Sequence, residues 1–307
     1  MDRHITIMAA PLQGITDNVW RNAQAHCFGG VDIYYTPFLR MEHGQVRRLG
    51  DAAPEANGGL HVVPQILGGR PEECVAMAQA LSAMGHREVD INLGCPFPPV
   101  ALHRRGSGLL PHPDQVAALA QALAQLRGIR FSVKMRLGWQ DEREWEQVLP
   151  ALAALNPTQV TLHPRTGREQ YKGELHQEQL AAFVQTCPYP VVYNGGITTT
   201  DDIATIAQRF PRLHGVMIGR GLVARPGILH PDENDQRYRL FHQELLDGYS
   251  QRLTGGEHQL LKKMQTLWEH FLPEADRKAR KAIRKARTLE QYAQAARQAL
   301  AHPIKGI

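Results

Sequence analysis

Short apolar runs recur along the chain as far as residue 218: at 5–9, 32–36, 62–66, 88–92, 130–135, 159–163, 190–194 and 214–218. Most are continuously apolar rather than alternating, the pattern of parallel strands covered on both faces. Helical punctuation separates several of them. Pro71 sits at a first helical position, followed by Glu72 and Glu73 and, later, Gly85. Asp114 precedes the apolar stretch 116–126, closed by Gly128, and the Thr198–Asp202 segment offers a capping box. Strand starts recur at roughly 30 residues, the βα repeat of a barrel. Eight such units predict an α/β fold, a (β/α)8 TIM barrel. Periodicity alone leaves a doubly wound sheet open.

After Gly227 strand signals stop. Residues 235–253, 257–271, 277–287 and 289–300 read as helices. The expected organisation is a barrel over 1–231 and a smaller all-helical domain over 232–307.

The polar residues change the picture, because barrels build their sites at the C-terminal ends of the strands. Those ends carry Pro11, Leu12 and Gln13; Gln65; Asn92 and Cys95; Lys134 and Arg136; His163; Asn194, Gly195 and Gly196; and Gly219 with Arg220. Glycines in the last two loops let backbone N–H groups approach a phosphate, and Arg220 adds charge. For one such glycine a simple tight turn is the better reading; two loops at these two strands favour phosphate. An inward Lys134 is costly unless a negative group pairs with it, and a flavin that becomes anionic on reduction would supply one. Gln65 offers both donor and acceptor to a ring edge, although a strand-end glutamine bonding its own backbone fits equally well. His163 alone reads as a satisfied core histidine. Cys95 alone reads as a small buried hydrophobe; its place where a strand stops and a loop begins raises the alternative of a reactive thiol.

Composition narrows the class. The 307 residues carry a net charge of +5, and no apolar run approaches a membrane span. The N-terminal apolar stretch is too short for a signal peptide, so cytoplasm is the expected compartment. Cys27, Cys74, Cys95 and Cys187 are widely spaced with no Cys-x-x-Cys, which argues against a zinc site or a disulfide framework. No metal site and no stable protein partner are expected.

The segments AAPLQGITD, PQILGGRPE, DINLGCP, GSGLL, SVKMRLGW, LHPRTGREQYKGE, YNGGI and GVMIGRGLVARP resemble, in order and spacing, the tRNA-dihydrouridine synthases. The resemblance covers roughly residues 8–226, the whole expected barrel. It implies an FMN-dependent oxidoreductase of tRNA, with NADPH as reductant, that reduces the C5=C6 bond of a uridine by hydride from the flavin to C6 and a proton to C5. By position it makes Cys95 the proton donor. Pro11, Leu12, Gln13, Gln65, Lys134 and His163 become flavin-contacting residues, and Asn194, Gly195, Gly196, Gly219 and Arg220 the phosphate side. Asn92 and Arg136 approach the target uracil. A thiol is mostly protonated at neutral pH and suits the acid role, and the target base must leave its stack to be reached. The loop 97–105 departs from the family's usual lysine-containing run, so substrate choice is expected to be written there.

One feature lies outside the resemblance. Between Arg277 and Arg287 stand seven cations and no acid, with Ala279, Ala282, Ile283 and Ala286 on the other helical face. Charge runs are usually solvated faces; this density favours an RNA-tracking surface. Two other readings are a flavin barrel acting on a free pyrimidine or small enone, and a non-catalytic RNA-binding barrel.

Overall fold

The computed structural model describes residues 5–301. Each apolar run forms a strand: β1 (Thr6–Ala9), β2 (Ile33–Tyr35), β3 in two pieces (Val62–Val63 and Gln65–Leu67), β4 (Glu88–Leu93), β5 (Arg130–Gly138), β6 (Val160–Thr166), β7 (Val191–Tyr193) and β8 (Gly215–Ile218). Neighbouring strands pair in parallel throughout, and the nine-stranded sheet begins at Val62–Val63 and ends at Gln65–Leu67. Those two edges are one strand cut at Pro64, which has no N–H to give the ladder. Around the cut, Pro64 O accepts from Asp90 N (2.9 Å) and Gln65 N donates to Thr36 Oγ1 (3.0 Å). The chain itself therefore closes the sheet into an eight-stranded barrel. No edge is left for the doubly wound alternative.

The two faces of β5 show how the sequence divides the barrel. Val133, Met135 and Leu137 are fully buried, while Ser132, Lys134 and Arg136 alternate with them on the other face, the one carrying the bonds described below. Helices Pro71–Ala83 and Pro113–Ala124 begin with proline at the first turn. Asp114 thus lies inside its helix rather than capping it, because Pro113 already has the fixed φ of a first helical residue. A hairpin of Arg40–Glu42 and Gln45–Arg47 was not signalled by its three-residue strands. His43 and Gly44 both take positive φ between them (50° and 74°), as tight hairpin turns require.

By internal contacts the chain forms two compact units. The first is the barrel: residues 1–11, 32–197 and 201–218. The second gathers 12–31, 198–200 and 219–307, and holds helices Asn18–Cys27, Arg220–Ala224, Asp235–Arg252, Gly256–Leu267, Arg277–Lys285 and Leu289–Ala299. Its core is aromatic: Phe28, Tyr238, Phe241 and Phe271 stack in tilted pairs 5.1 to 6.2 Å apart, and Trp20 meets Phe241 edge-on. Asp17 ties this unit together. It caps Trp20 N (3.3 Å) and accepts from Tyr249 Oη and Lys263 Nζ (both 2.8 Å).

Candidate active site

Parallel register sets polar side chains in rungs across the barrel interior. Gln65 lies beside Asp90, which lies beside Ser132; Asn92 lies beside Lys134, which lies beside Thr161; Arg136 lies beside His163. Within the first rung, Ser132 Oγ donates to Asp90 Oδ1 (2.6 Å) and Gln65 Nε2 donates to Asp90 Oδ2 (2.7 Å). Asp90 has no exposed surface. Burial pushes its carboxyl up to about 6, against the pull of its two hydrogen bonds and of Lys134. Burial and the Arg136 charge bring the Lys134 ammonium down to about 8. Among the described residues, no hydrogen bond or ion pair reaches Lys134 Nζ, and Asp90 and Cys95 offset only part of the cost of its burial and of the Arg136 charge.

Cys95 follows β4 and is gripped through its backbone. Asn92 Oδ1 accepts from Gly94 N (3.0 Å) and Cys95 N (2.8 Å), and Asn92 Nδ2 donates to Gln65 Oε1 (2.8 Å). From the other side Ser107 Oγ donates to Cys95 O (2.7 Å), and Ser107 N does the same at 3.2 Å. Gly106 sits at φ +56, where a Cβ would lie 2.9 Å from Cys95 Cβ. Only glycine meets both demands. The Cys95 thiol is half-buried and burial pushes it up, while the Phe97 N–H, Arg136 and Lys134 pull the other way. It is a thiol, not a thiolate, at neutral pH. Cys27, Cys74 and Cys187 are buried, and burial takes both Cys27 and Cys74 to about 12.

Arg136 is a brace as well as a charge. It donates to Gly94 O (3.1 Å), Thr166 O (2.8 Å) and Gln170 O (2.7 Å), and its guanidinium lies 5.2 Å from the centre of the Tyr171 ring. His163 Nε2 lies 3.1 Å from Arg165 Nη1. A guanidinium can only donate, so Nε2 accepts and the ring proton sits on Nδ1. Burial and three nearby cations hold His163 far below the usual imidazole range, opposed by a hydrogen bond with Asn194. The Asn194 amide also donates to Met217 O (2.7 Å). Gly195 is buried and Gly196 exposed at φ +63.

Of the residues singled out from sequence, the barrel unit holds Pro11, Gln65, Asn92, Cys95, Lys134, Arg136, His163, Asn194, Gly195 and Gly196; Leu12, Gln13, Gly219 and Arg220 fall in the second unit. There Leu12 N donates to Thr16 Oγ1 (2.8 Å), and Gly219 precedes the short helix that Arg220 opens. The barrel adds Asp90, Ser107, Ser132, Arg165 and Tyr171, to which the sequence alone assigned no role. For Asp90 and Ser132 a signal existed: each stands two residues before a chosen residue on its own strand, hence on the same face.

A family model described as dihydrouridine synthase matches residues 8–303. The chain belongs to the dihydrouridine synthase family. It is accordingly a flavin-dependent oxidoreductase that forms dihydrouridine in tRNA. Among curated relatives of this synthase, a probable tRNA-dihydrouridine synthase 2 of Bacillus subtilis is 30% identical over 78% of this chain and 78% of its own. A tRNA-dihydrouridine(16) synthase of Neisseria meningitidis is 31% identical over 72% and 69%, and one of Aquipseudomonas alcaligenes 32% identical over 72% and 73%. In fold, the synthase is similar to a 2-naphthoyl-CoA reductase solved with 2-naphthoyl-CoA, with TM-score 0.53 and 11% identity over 73% of this chain and 49% of that one.

Two further features of the synthase are electrostatic and topographic. In the second unit, the helix Arg277–Lys285 is capped by Asp276, which accepts from Ala279 N (2.7 Å), and it buries Ala279 and Ile283. Arg277, Lys278, Lys281, Arg284 and Lys285 are exposed. Two expectations need correction here. Ala282 is exposed rather than inward, because its helical angle falls on the basic side. Arg280 is drawn back to donate to Pro273 O (2.6 Å) and Trp268 O (3.0 Å), leaving a smaller free cationic face. In the barrel unit, the divergent loop exposes Phe97 and Leu102, while Arg105 turns inward to pair with Glu73 (2.8 Å). No helix among the described residues is long and apolar enough to cross a membrane.

Proposed function

We propose that this synthase uses FMN, reduced by NADPH, to reduce a uridine of tRNA at the barrel mouth, with Cys95 as the proton donor. The observation that carries the reading is the Cys95 loop itself. A half-buried, protonated thiol stands on a backbone clamped by Asn92 on one side and Ser107 on the other, next to two cations that favour the thiolate left after proton transfer. The residues suit the cofactor. Lys134 carries a half-buried cation without a hydrogen-bonded partner among the described residues, which fits the anionic side of a reduced isoalloxazine. When bound, FMN supplies the hydride that is added at C6 of the uracil. Gln65, Pro11 and neutral His163 line the ring's side of the barrel on this reading, and the Asn194-Gly195-Gly196 turn takes the phosphate side. Arg136 shapes the uracil pocket by fixing the carbonyl of Gly94 and the 166–170 backbone.

The exposed basic helix 277–285 serves as the tRNA-binding surface of the helical domain that follows the barrel. A free pyrimidine needs no such surface. The compartment is the cytoplasm, which suits four free cysteines. The test is a Cys95→Ala protein supplied with reduced flavin and unmodified tRNA. Dihydrouridine formation should fall by at least about a hundredfold, in the range of lost general acids, with flavin binding retained. Undiminished product removes Cys95 from the mechanism.

A further inference from the structure

The bonds from the barrel interior to Cys95 run in one direction. The N–H groups of Gly94 and Cys95 donate to Asn92 Oδ1. The Asn92 amide donates to Gln65 Oε1, and the Gln65 amide to Asp90 Oδ2. A backbone N–H can only donate, and an ionised carboxylate can only accept. Between those two fixed ends, each side-chain amide has one orientation that satisfies both neighbours; reversing either sets donor against donor and acceptor against acceptor. Asp90 stays ionised above about pH 6, and Ser132 occupies its other oxygen.

We infer that Asp90 is a positioning residue of the reaction: its carboxylate sets the direction of the Gln65–Asn92 amide chain that holds the Cys95 loop in place. This rests on the assignment of Cys95 as proton donor. Asp90 has no exposed surface, so it touches neither uridine nor solvent and acts through its neighbours alone. A plain filling role, or a plain counter-charge to Lys134, requires no direction in the chain.

Direction can be tested by moving the carboxylate. In Asn92→Asp, residue 92 still accepts from Cys95 N–H but can no longer donate to Gln65. Gln65 must then turn its oxygen toward Asp90, acceptor against acceptor. Adding Asp90→Asn resolves the conflict with the charge conserved. The new amide at residue 90 donates to the turned Gln65, which donates to the new carboxylate at residue 92, and Ser132 still donates to the side-chain oxygen of residue 90. Adding Asp90→Leu instead removes the same charge but supplies no donor.

The readout is the rate of Cys95 alkylation by iodoacetamide across pH 6–9 in the flavin-loaded protein, read at Cys95 by peptide mass spectrometry. It needs neither tRNA nor turnover. Asn92→Asp should change the rate by about tenfold, as a loosened thiol gains access. Asn92→Asp/Asp90→Asn should return to within about threefold of wild type, and Asn92→Asp/Asp90→Leu should not. Equal rescue by asparagine and leucine means charge relief alone and overturns the proposal; so does no rescue by asparagine. Should the aspartate variants not fold, Gln65→Met cuts the chain without adding charge, and unchanged alkylation there also overturns it. Dihydrouridine formation measured in parallel separates the two claims. A directional alkylation result with unaffected catalysis keeps the chain and discards Cys95 as the acid.

Discussion

Replacing Gly106 by alanine should damage catalysis through Cys95 without touching it chemically. The new Cβ would lie 2.9 Å from Cys95 Cβ, 3.0 Å from Cys95 O and 3.2 Å from Cys95 N. Carbon atoms rest at about 3.5–4.0 Å, so the Cys95 backbone must retreat by roughly half an ångström. That overpacking costs about 1–3 kcal/mol, and alanine at φ +56 adds about 1 kcal/mol of left-handed strain. The retreat also stretches the 2.7 Å bond from Ser107 Oγ. A displaced reacting group loses rate steeply, of order a hundredfold per ångström, so tenfold or somewhat more is expected here. Gly128→Ala is the control: it has φ +78 and nothing within 4 Å of its built Cβ. It bears the backbone strain alone. The assay is single-turnover dihydrouridine formation with pre-reduced flavin and saturating tRNA, alongside thermal unfolding. Equal activity of the two variants would refute the claim that Gly106 holds Cys95 in register.

Three other outcomes follow from the same geometry. Charge reversal at Lys281, Arg284 and Lys285 should weaken tRNA binding and flatten its salt dependence, by about 0.7–0.9 in the log–log slope for each phosphate no longer neutralised; unchanged affinity would discard the basic helix as an RNA surface. Lys134→Met should make the bound flavin harder to reduce, moving its midpoint potential negative by roughly 30 mV for each 1.4 kcal/mol of lost stabilisation; a spectroelectrochemical titration reads this, and an unmoved midpoint contradicts the assigned role. His242 is buried, its Nε2 2.6 Å from Tyr292 Oη, which Trp268 Nε1 also reaches at 3.0 Å. Burial brings the imidazole down to about 4, so the native state binds fewer protons than the unfolded chain between about pH 4 and 6.5. Stability should therefore be lost as pH falls through that window, by about 3 kcal/mol at most. Urea unfolding at pH 7 and pH 4.5 checks it: His242→Gln should shrink the difference without abolishing it, because the depressed His163 adds to it with the same sign, and an unchanged difference would contradict the assignment.

The barrel was legible because a strand covered on both faces leaves a continuous apolar run, and eight such runs at one period leave few topologies. Pro64 was visible in sequence, yet that it marks the closing seam emerges only when β3 is seen to pair on both sides. The hairpin at 40–47 escaped because three-residue strands carry too little pattern. In the site, Cys95, Asn92 and Lys134 stood out as polar residues at the ends of apolar runs. Asp90 did not, since one acid inside a short strand reads as an ordinary interruption; its meaning comes from the parallel register that sets Gln65 and Ser132 on either side. The same holds for Arg280. Sequence put it on the free basic face, and the carbonyls of Trp268 and Pro273 take it away. Nor does chain order reveal that residues 12–31, the first loop and helix after β1, group with the helical unit.

The central claim is that this chain reduces uridine in RNA with a flavin. Its most direct test offers the purified, FMN-loaded protein and NADPH two substrates, unmodified tRNA and free uridine monophosphate, and weighs the products by mass spectrometry. Uridine in the tRNA should gain two hydrogens, and the free nucleotide none. Unmodified tRNA after demonstrated flavin reduction, or efficient reduction of the free nucleotide, would contradict it.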